Sequence, residues 1–292
     1  MPAFASPLSP LQTPRPADDE ARVEPENLES SERASEPPAD SALKASRAAH
    51  ASPRHSFVRG ALAGNFLHDQ LEWLAGERFA LAGNAPLADR LARRCERAGY
   101  SRHAAQIVEW LTDVVATPLR GPGASLAGLE RVIPEMEFWL PARDIRAREL
   151  DRLCRDTMLD GTPRPMLADR EVHGMLMGYA DLVFEHEGRF WVLDYKSNHL
   201  GHFDDDYSRA RLTTSMAEHR YDMQAAIYLA ALHRLLRSRL GPHYDPARHL
   251  GGAIYLFLRG IDGPERGVYL VEPVRQLLDG VDDMLGPLGS QP

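Results

Sequence analysis

Hydrophobic spacing divides the chain into helix-like and strand-like stretches. Residues 60–75 place Leu62, Phe66, Leu67, Leu71 and Leu74 three or four positions apart, the period of a helix with one apolar face. Residues 86–98 and 102–117 carry the same period and are stopped by Gly99 and Pro118. Residues 132–140 alternate weakly, which predicts a strand. Residues 143–158 form a charged amphipathic helix, followed by a loop at 162–165 with two prolines. Residues 175–184 and 190–195 are mostly apolar, β-branched or aromatic and are joined by a short polar link containing Gly188, a hairpin pattern. Beyond Asn198 the spacing predicts a loop at 202–208, one long helix over 213–240, strands at 252–258 and 267–271, and a last helix opened by Pro273. Helices alternating with strands in this way predict an α/β fold with one mixed β-sheet flanked by helices.

A hairpin centred on Glu187 and Gly188 pairs residues whose numbers sum to 375. Phe184 then faces Trp191, and Asp181 faces Asp194. Opposed residues in an antiparallel pair have Cβ atoms about 4.5–5.5 Å apart, where like charges repel. By strand alternation Asp181, Asp194 and Lys196 share one face, while Leu182, Phe184, Leu193 and Tyr195 share the other. Two carboxylates with an ammonium beside them suit a hard divalent cation such as Mg²⁺ or Mn²⁺.

Composition sharpens this. Of the 34 basic residues only Lys44 and Lys196 are lysines. Lysine is a compact point charge that reaches a water or phosphate oxygen in a way arginine's planar fork does not. Residues 1–53 hold 9 of the 22 prolines and nine acids against five bases, with Phe4 as their only aromatic, and are read as a disordered linker ahead of a domain over 54–292. The net charge of −8 excludes a broadly basic nucleic-acid binder, so any such contact is a local patch. No signal-peptide pattern or apolar run of about 18 residues occurs, and a cytoplasmic protein without a membrane span is expected. Cys95 and Cys154 lack a metal-site or disulfide spacing.

The run GYADLVFEHEGRFWVLDYKSN resembles the motif core of the PD-(D/E)xK nuclease superfamily and, within it, the RecB-type nuclease domain of exodeoxyribonuclease V. FVRGALAGNFLH, HRYDMQAAIYLAALHRLL, HLGGAIYLFLRG and GVYLVEP extend the likeness from about Phe57 onward. The resemblance implies a restriction-endonuclease-like core in which His68, Asp181, Asp194 and the Tyr195 carbonyl hold one Mg²⁺, with Mn²⁺ able to substitute. It implies that Lys196 acts with Asp181 and Asp194 in cleaving single-stranded DNA. Gln224 and Tyr228, four residues apart on one helix face, match the family's Q-x-x-x-Y motif and are expected to face the nucleic acid. Glu72, Glu135 and Glu137 are further acids near these positions, and Arg90, Arg93, Arg94 and Arg97 form a basic helix run read as a solvated face.

The chain has no Gly-Lys pair and hence no P-loop. If it is the nuclease end of a larger subunit, its partners are a helicase part and the gamma (RecC-like) and alpha (RecD-like) subunits. The alternatives are a non-catalytic DNA-docking module of the same superfamily, or a separate AddAB-like or CRISPR-associated nuclease. Two separated cysteines cannot supply the four thiolates of an iron–sulfur cluster.

Overall fold

The computed structural model describes residues 53–263 and 265–286. Apart from Pro53, the stretch expected to be a disordered linker lies outside the described residues.

After a single helical turn at Pro53–Ser56 come three longer helices: Ala61–Gly76 (α1), Ala85–Arg97 (α2) and Ala104–Ala116 (α3). α2 begins where the Asn84 side chain accepts the Leu87 N–H at 3.2 Å, with Pro86 in the first turn where no N–H is needed. Then follow Arg131–Arg146 (β1), Ala147–Thr157 (α4), Glu171–His186 (β2) and Arg189–Lys196 (β3). After them come Arg209–Glu218 (α5), Tyr221–Leu240 (α6), Leu250–Phe257 (β4), Val268–Val271 (β5) and Arg275–Leu285 (α7).

The five strands form one sheet in the order β1-β2-β3-β4-β5. All neighbours are antiparallel except β3 and β4, which are parallel and joined through α5 and α6. The mixed sheet with helices on both faces is the expected architecture. Leu182, Phe184, Leu193, Tyr195, Ile254 and Leu256 pack against α1–α3. Val183, Val192, Ala253, Tyr255 and Phe257 pack against α4–α7.

The β2–β3 turn follows the expected register: His186 pairs with Arg189 and Phe184 with Trp191. Glu187 (φ 51°) and Gly188 (φ 78°) both lie in the left-handed region, the two-residue turn whose twist matches that of the strands. Two expectations are corrected. β1 runs on to Arg146, so the helix after it starts at Ala147 rather than at 143. The helix expected over 213–240 is two helices broken at Arg220, which has φ 56°. No glycine or proline marks the break. It is held from outside: Arg220 donates to Asp151 at 2.5 Å, to Asp222 at 3.1 Å and to the Pro165 carbonyl at 2.9 Å. Arg164, fully buried with Asp222, donates to it at 2.6 Å. Removing one partner of such a buried pair costs about 3–5 kcal/mol, so these contacts fix where α6 starts.

Candidate active site

Asp181 and Asp194 do not meet as a ladder pair. The β2–β3 ladder ends at Leu182 with Leu193, and the β1–β2 register skips the position where Glu135 would oppose Asp181. Glu135 there has φ 45°. The alternation of β2 breaks at the same point, since Ala180 and Val183 lie in one core layer and Leu182 in the other. Asp181 is thus the residue at which β2 parts from both neighbours. Its Oδ2 accepts the Tyr195 N–H at 2.7 Å, doing at the strand end what a backbone carbonyl does within a ladder. The same oxygen lies 3.4 Å from His68 Nδ1 on α1. His68 also packs edge-on against the Tyr195 ring, with 5.8 Å between ring centres.

Asp194 belongs to the opposite layer and is only 4% exposed. Its Oδ1 accepts from Gln224 Nε2 at 3.0 Å and from the Tyr228 hydroxyl at 2.9 Å. Oδ2 is buried and lies 2.7 Å from Lys196 Nζ in a charge-assisted pair. Gln224 holds three groups at once: Nε2 also reaches the Tyr228 oxygen at 2.8 Å, and Oε1 accepts from Lys196 at 3.2 Å. The Lys196 ammonium sits 3.9 Å from the centre of the Tyr221 ring. All of these side chains line one cleft of about 260 Å³ between α1 and α6, with Phe138, Gly178 and Tyr179 of the β1–β2 pair on its third side. A Cβ on Gly178 would lie 2.4 Å from the Phe138 ring, so glycine is what lets that ring lie against β2.

Charge is distributed unevenly within the cleft. Burial works against ionisation of Asp181, but His68, the Tyr195 N–H and Lys196 outweigh it and hold this carboxyl below the usual range. Burial and the neighbouring Asp181 charge push Asp194 up, although Lys196 opposes them. Burial disfavours a charged Lys196, yet Asp194 and Tyr221 raise it above the ordinary lysine value. His68 is likewise raised against burial by the Asp181 charge and hydrogen bond.

His68, Asp181, Asp194, Tyr195, Lys196, Gln224 and Tyr228 are therefore gathered at one cleft. Among the described residues no ready-made cluster of three or more His, Cys, Asp or Glu side chains occurs; His68 lies against Asp181, and Asp194 against Lys196. The donors nonetheless fit a cation by type: one buried and one half-buried carboxylate beside an imidazole. Glu72 and Glu137 are exposed, and neither they nor Glu135 line the cleft. Sequence reasoning assigned no role to Tyr221 and did not name Asn65 or Tyr179. Tyr221 follows the unannounced helix break, which hid its position under Lys196. Of the basic run on α2, Arg90 and Arg94 lie over Trp73, at 5.2 and 4.6 Å from the ring centre.

Residues 42–285 match the family profile of the PD-(D/E)XK nuclease superfamily. The chain is 40% identical over 237 residues to the RecBCD enzyme subunit RecB of Escherichia coli (strain K12), covering 79% of this chain and 19% of that protein. It is 39% identical over 180 residues to the RecBCD enzyme subunit RecB of Haemophilus influenzae, 59% of this chain and 14% of that one. The RecB of Mycolicibacterium smegmatis is 31% identical over 268 residues, 80% of this chain and 24% of that protein. The chain thus spans a quarter or less of the length of these relatives. The resemblance to RecB-type nuclease domains read from the sequence is borne out.

Proposed function

The chain belongs to the PD-(D/E)XK nuclease superfamily, and on that premise we propose that it hydrolyses phosphodiester bonds of single-stranded DNA as the nuclease part of a RecBCD-type enzyme. The observation that carries this reading is the convergence of Asp181, Asp194 and Lys196 at one cleft, with Gln224 and Tyr228 bonded to Asp194. His68, Asp181, Asp194 and the Tyr195 carbonyl would hold a divalent cation, Mg²⁺ or Mn²⁺. When bound, such an ion supplies a bound water of lowered pKa and positive charge against the scissile phosphate.

The chain's own groups have separable tasks. Gln224 and Tyr228 each donate to Asp194 Oδ1, which leaves Oδ2 turned away from them. Asp194 and Tyr221 favour the charged form of Lys196, whose task is to place positive charge against the oxygens that become more negative as the phosphate is attacked. Gln224 Oε1 holds that ammonium in place. The Phe138 and Tyr179 rings at the cleft offer flat apolar surface for bases. In a larger assembly the partners would be a helicase part and RecC-like and RecD-like subunits, in the cytoplasm. No described helix is long and apolar enough to cross a membrane.

The test is degradation of single-stranded DNA by the 292-residue chain with Mg²⁺, compared with Asp194→Ala and Lys196→Ala. Each variant is expected to lose at least about 10²–10³-fold in rate. Equal rates in all three would overturn the assignment.

A further inference from the structure

The stretch just before α1 and the loop just after β3 bring together three nitrogen-bearing side chains that the catalytic reading does not use. Arg59 Nη2 lies 3.2 Å from His199 Nε2 and 3.5 Å from His202 Nε2, and the two imidazole rings meet edge-on with 4.8 Å between centres. No carboxylate pairs with Arg59 among the described residues. Nearby Asp204 is engaged with Arg54, His55 and Arg266 instead. Facing imidazole nitrogens, the guanidinium charge is not offset there as it would be by a carboxylate. His199 stays neutral at ordinary pH: burial, then Arg59, push its pKa down to about 4.

Position gives the cluster its meaning. Arg59 precedes by one residue Gly60, the N-cap of α1, and Gly64, Asn65 and His68 of that helix line the cleft. His199 follows Lys196 by three residues, and the intervening Asn198 is tied to the cleft wall through Tyr221 and His219. Val58 (48% exposed) and Leu62 (84% exposed) flank Arg59 in the sequence with apolar surface open to solvent. A cation with no carboxylate partner among the described residues, planar imidazoles and exposed apolar side chains are what a single nucleic-acid strand requires: the first for a phosphate, the others for sugars and bases. A chain of net charge −8 must make its nucleic-acid contacts at such local points.

We propose that Arg59, steadied by His199 and His202, forms a phosphate subsite at the mouth of the cleft that holds the DNA strand one or more nucleotides away from the bond being cut. The subsite rests on the nuclease reading and deepens it. His199 and His202 are positioning residues for the guanidinium, which itself touches the strand.

The experiment measures binding of a fluorescent single-stranded oligothymidylate to the full chain in EDTA, where no cleavage occurs, over a series of salt concentrations. Cleavage with Mg²⁺ is followed in parallel. Arg59→Ala is expected to weaken binding about three- to tenfold and to lower the slope of log Kd against log salt by about one contact. KM should rise with kcat little changed, and Arg59→Lys should restore the salt slope. Because Arg59 is exposed and makes no ion pair with a described acid, its removal leaves the core untouched. An unchanged Kd and slope in Arg59→Ala, with DNA still cut by the unaltered chain, would overturn the subsite alone. Failure of the unaltered chain to cut DNA with Mg²⁺ would sink the nuclease reading on which it stands.

Discussion

At the scale of single residues, the cleft is organised by hydrogen bonds that a sequence does not display. Gln224 is the clearest case. Its amide spans Asp194, Tyr228 and Lys196, so it fixes the orientation of a carboxylate and an ammonium with one side chain. Partners that orient functional carboxylates typically matter about 10–100-fold. Gln224→Leu, which keeps the volume and removes both hydrogen-bonding ends, should lower kcat for DNA cleavage by roughly that factor while leaving the melting temperature close to wild type. Steady-state kinetics beside thermal denaturation will separate the two. A kcat equal to wild type would mean that Asp194 needs no orientation from α6. The two thiols stand apart from this chemistry. Cys95 and Cys154 are both buried, and burial drives the Cys95 thiol up to about 11.

At the scale of elements, α6 is pinned at both ends by arginine–aspartate contacts. Near its far end Arg234 Nε donates to Asp282 Oδ1 at 2.6 Å and Arg237 Nη1 to Oδ2 at 2.7 Å, which ties α6 to α7. Burial alone would raise the Asp282 pKa, but the two guanidinium bonds outweigh it and hold the carboxyl below its ordinary value of 3.8. A depressed carboxylate contributes stability that is present above the unfolded pKa and is lost as pH falls through the folded one. Asp282→Asn should therefore melt below wild type at neutral pH, with the gap closing below about pH 4. A gap that does not depend on pH would show that the charge is not what stabilises the contact. The register of the β2–β3 hairpin was legible because a two-residue turn with Gly188 fixes every pair that follows. The start of α6 was not. Arg220 is bent by Asp151 and Pro165, dozens of residues away, and nothing local marks the spot. The same holds for Asp181: alternation assigned it a face, but the strands part there, and only the neighbours on both sides reveal it.

At the scale of the whole molecule, one sheet carries two apolar layers. Leu67 on α1 and Leu229 on α6 are both fully buried, on opposite faces. Because the same strands serve both layers, Leu67→Ala and Leu229→Ala should each cost about 2–5 kcal/mol and shift a single unfolding transition. Two separate transitions in calorimetry would show that the layers melt independently. The layering itself could be read from hydrophobic spacing, since helix and strand periods survive in almost every element. Which side chains meet at the seam between the layers could not, because that depends on helices from both faces reaching one strand end. Asp181 stands at that seam, and one of its oxygens serves two masters: it closes the backbone of β3 at Tyr195 and faces His68. Deleting this carboxylate thus frays architecture and chemistry together, so an inactive Asp181→Ala reports a loosened strand end as much as a lost ligand. Asp181→Asn keeps an oxygen for the Tyr195 amide while surrendering the charge, and is the substitution that tells the two apart.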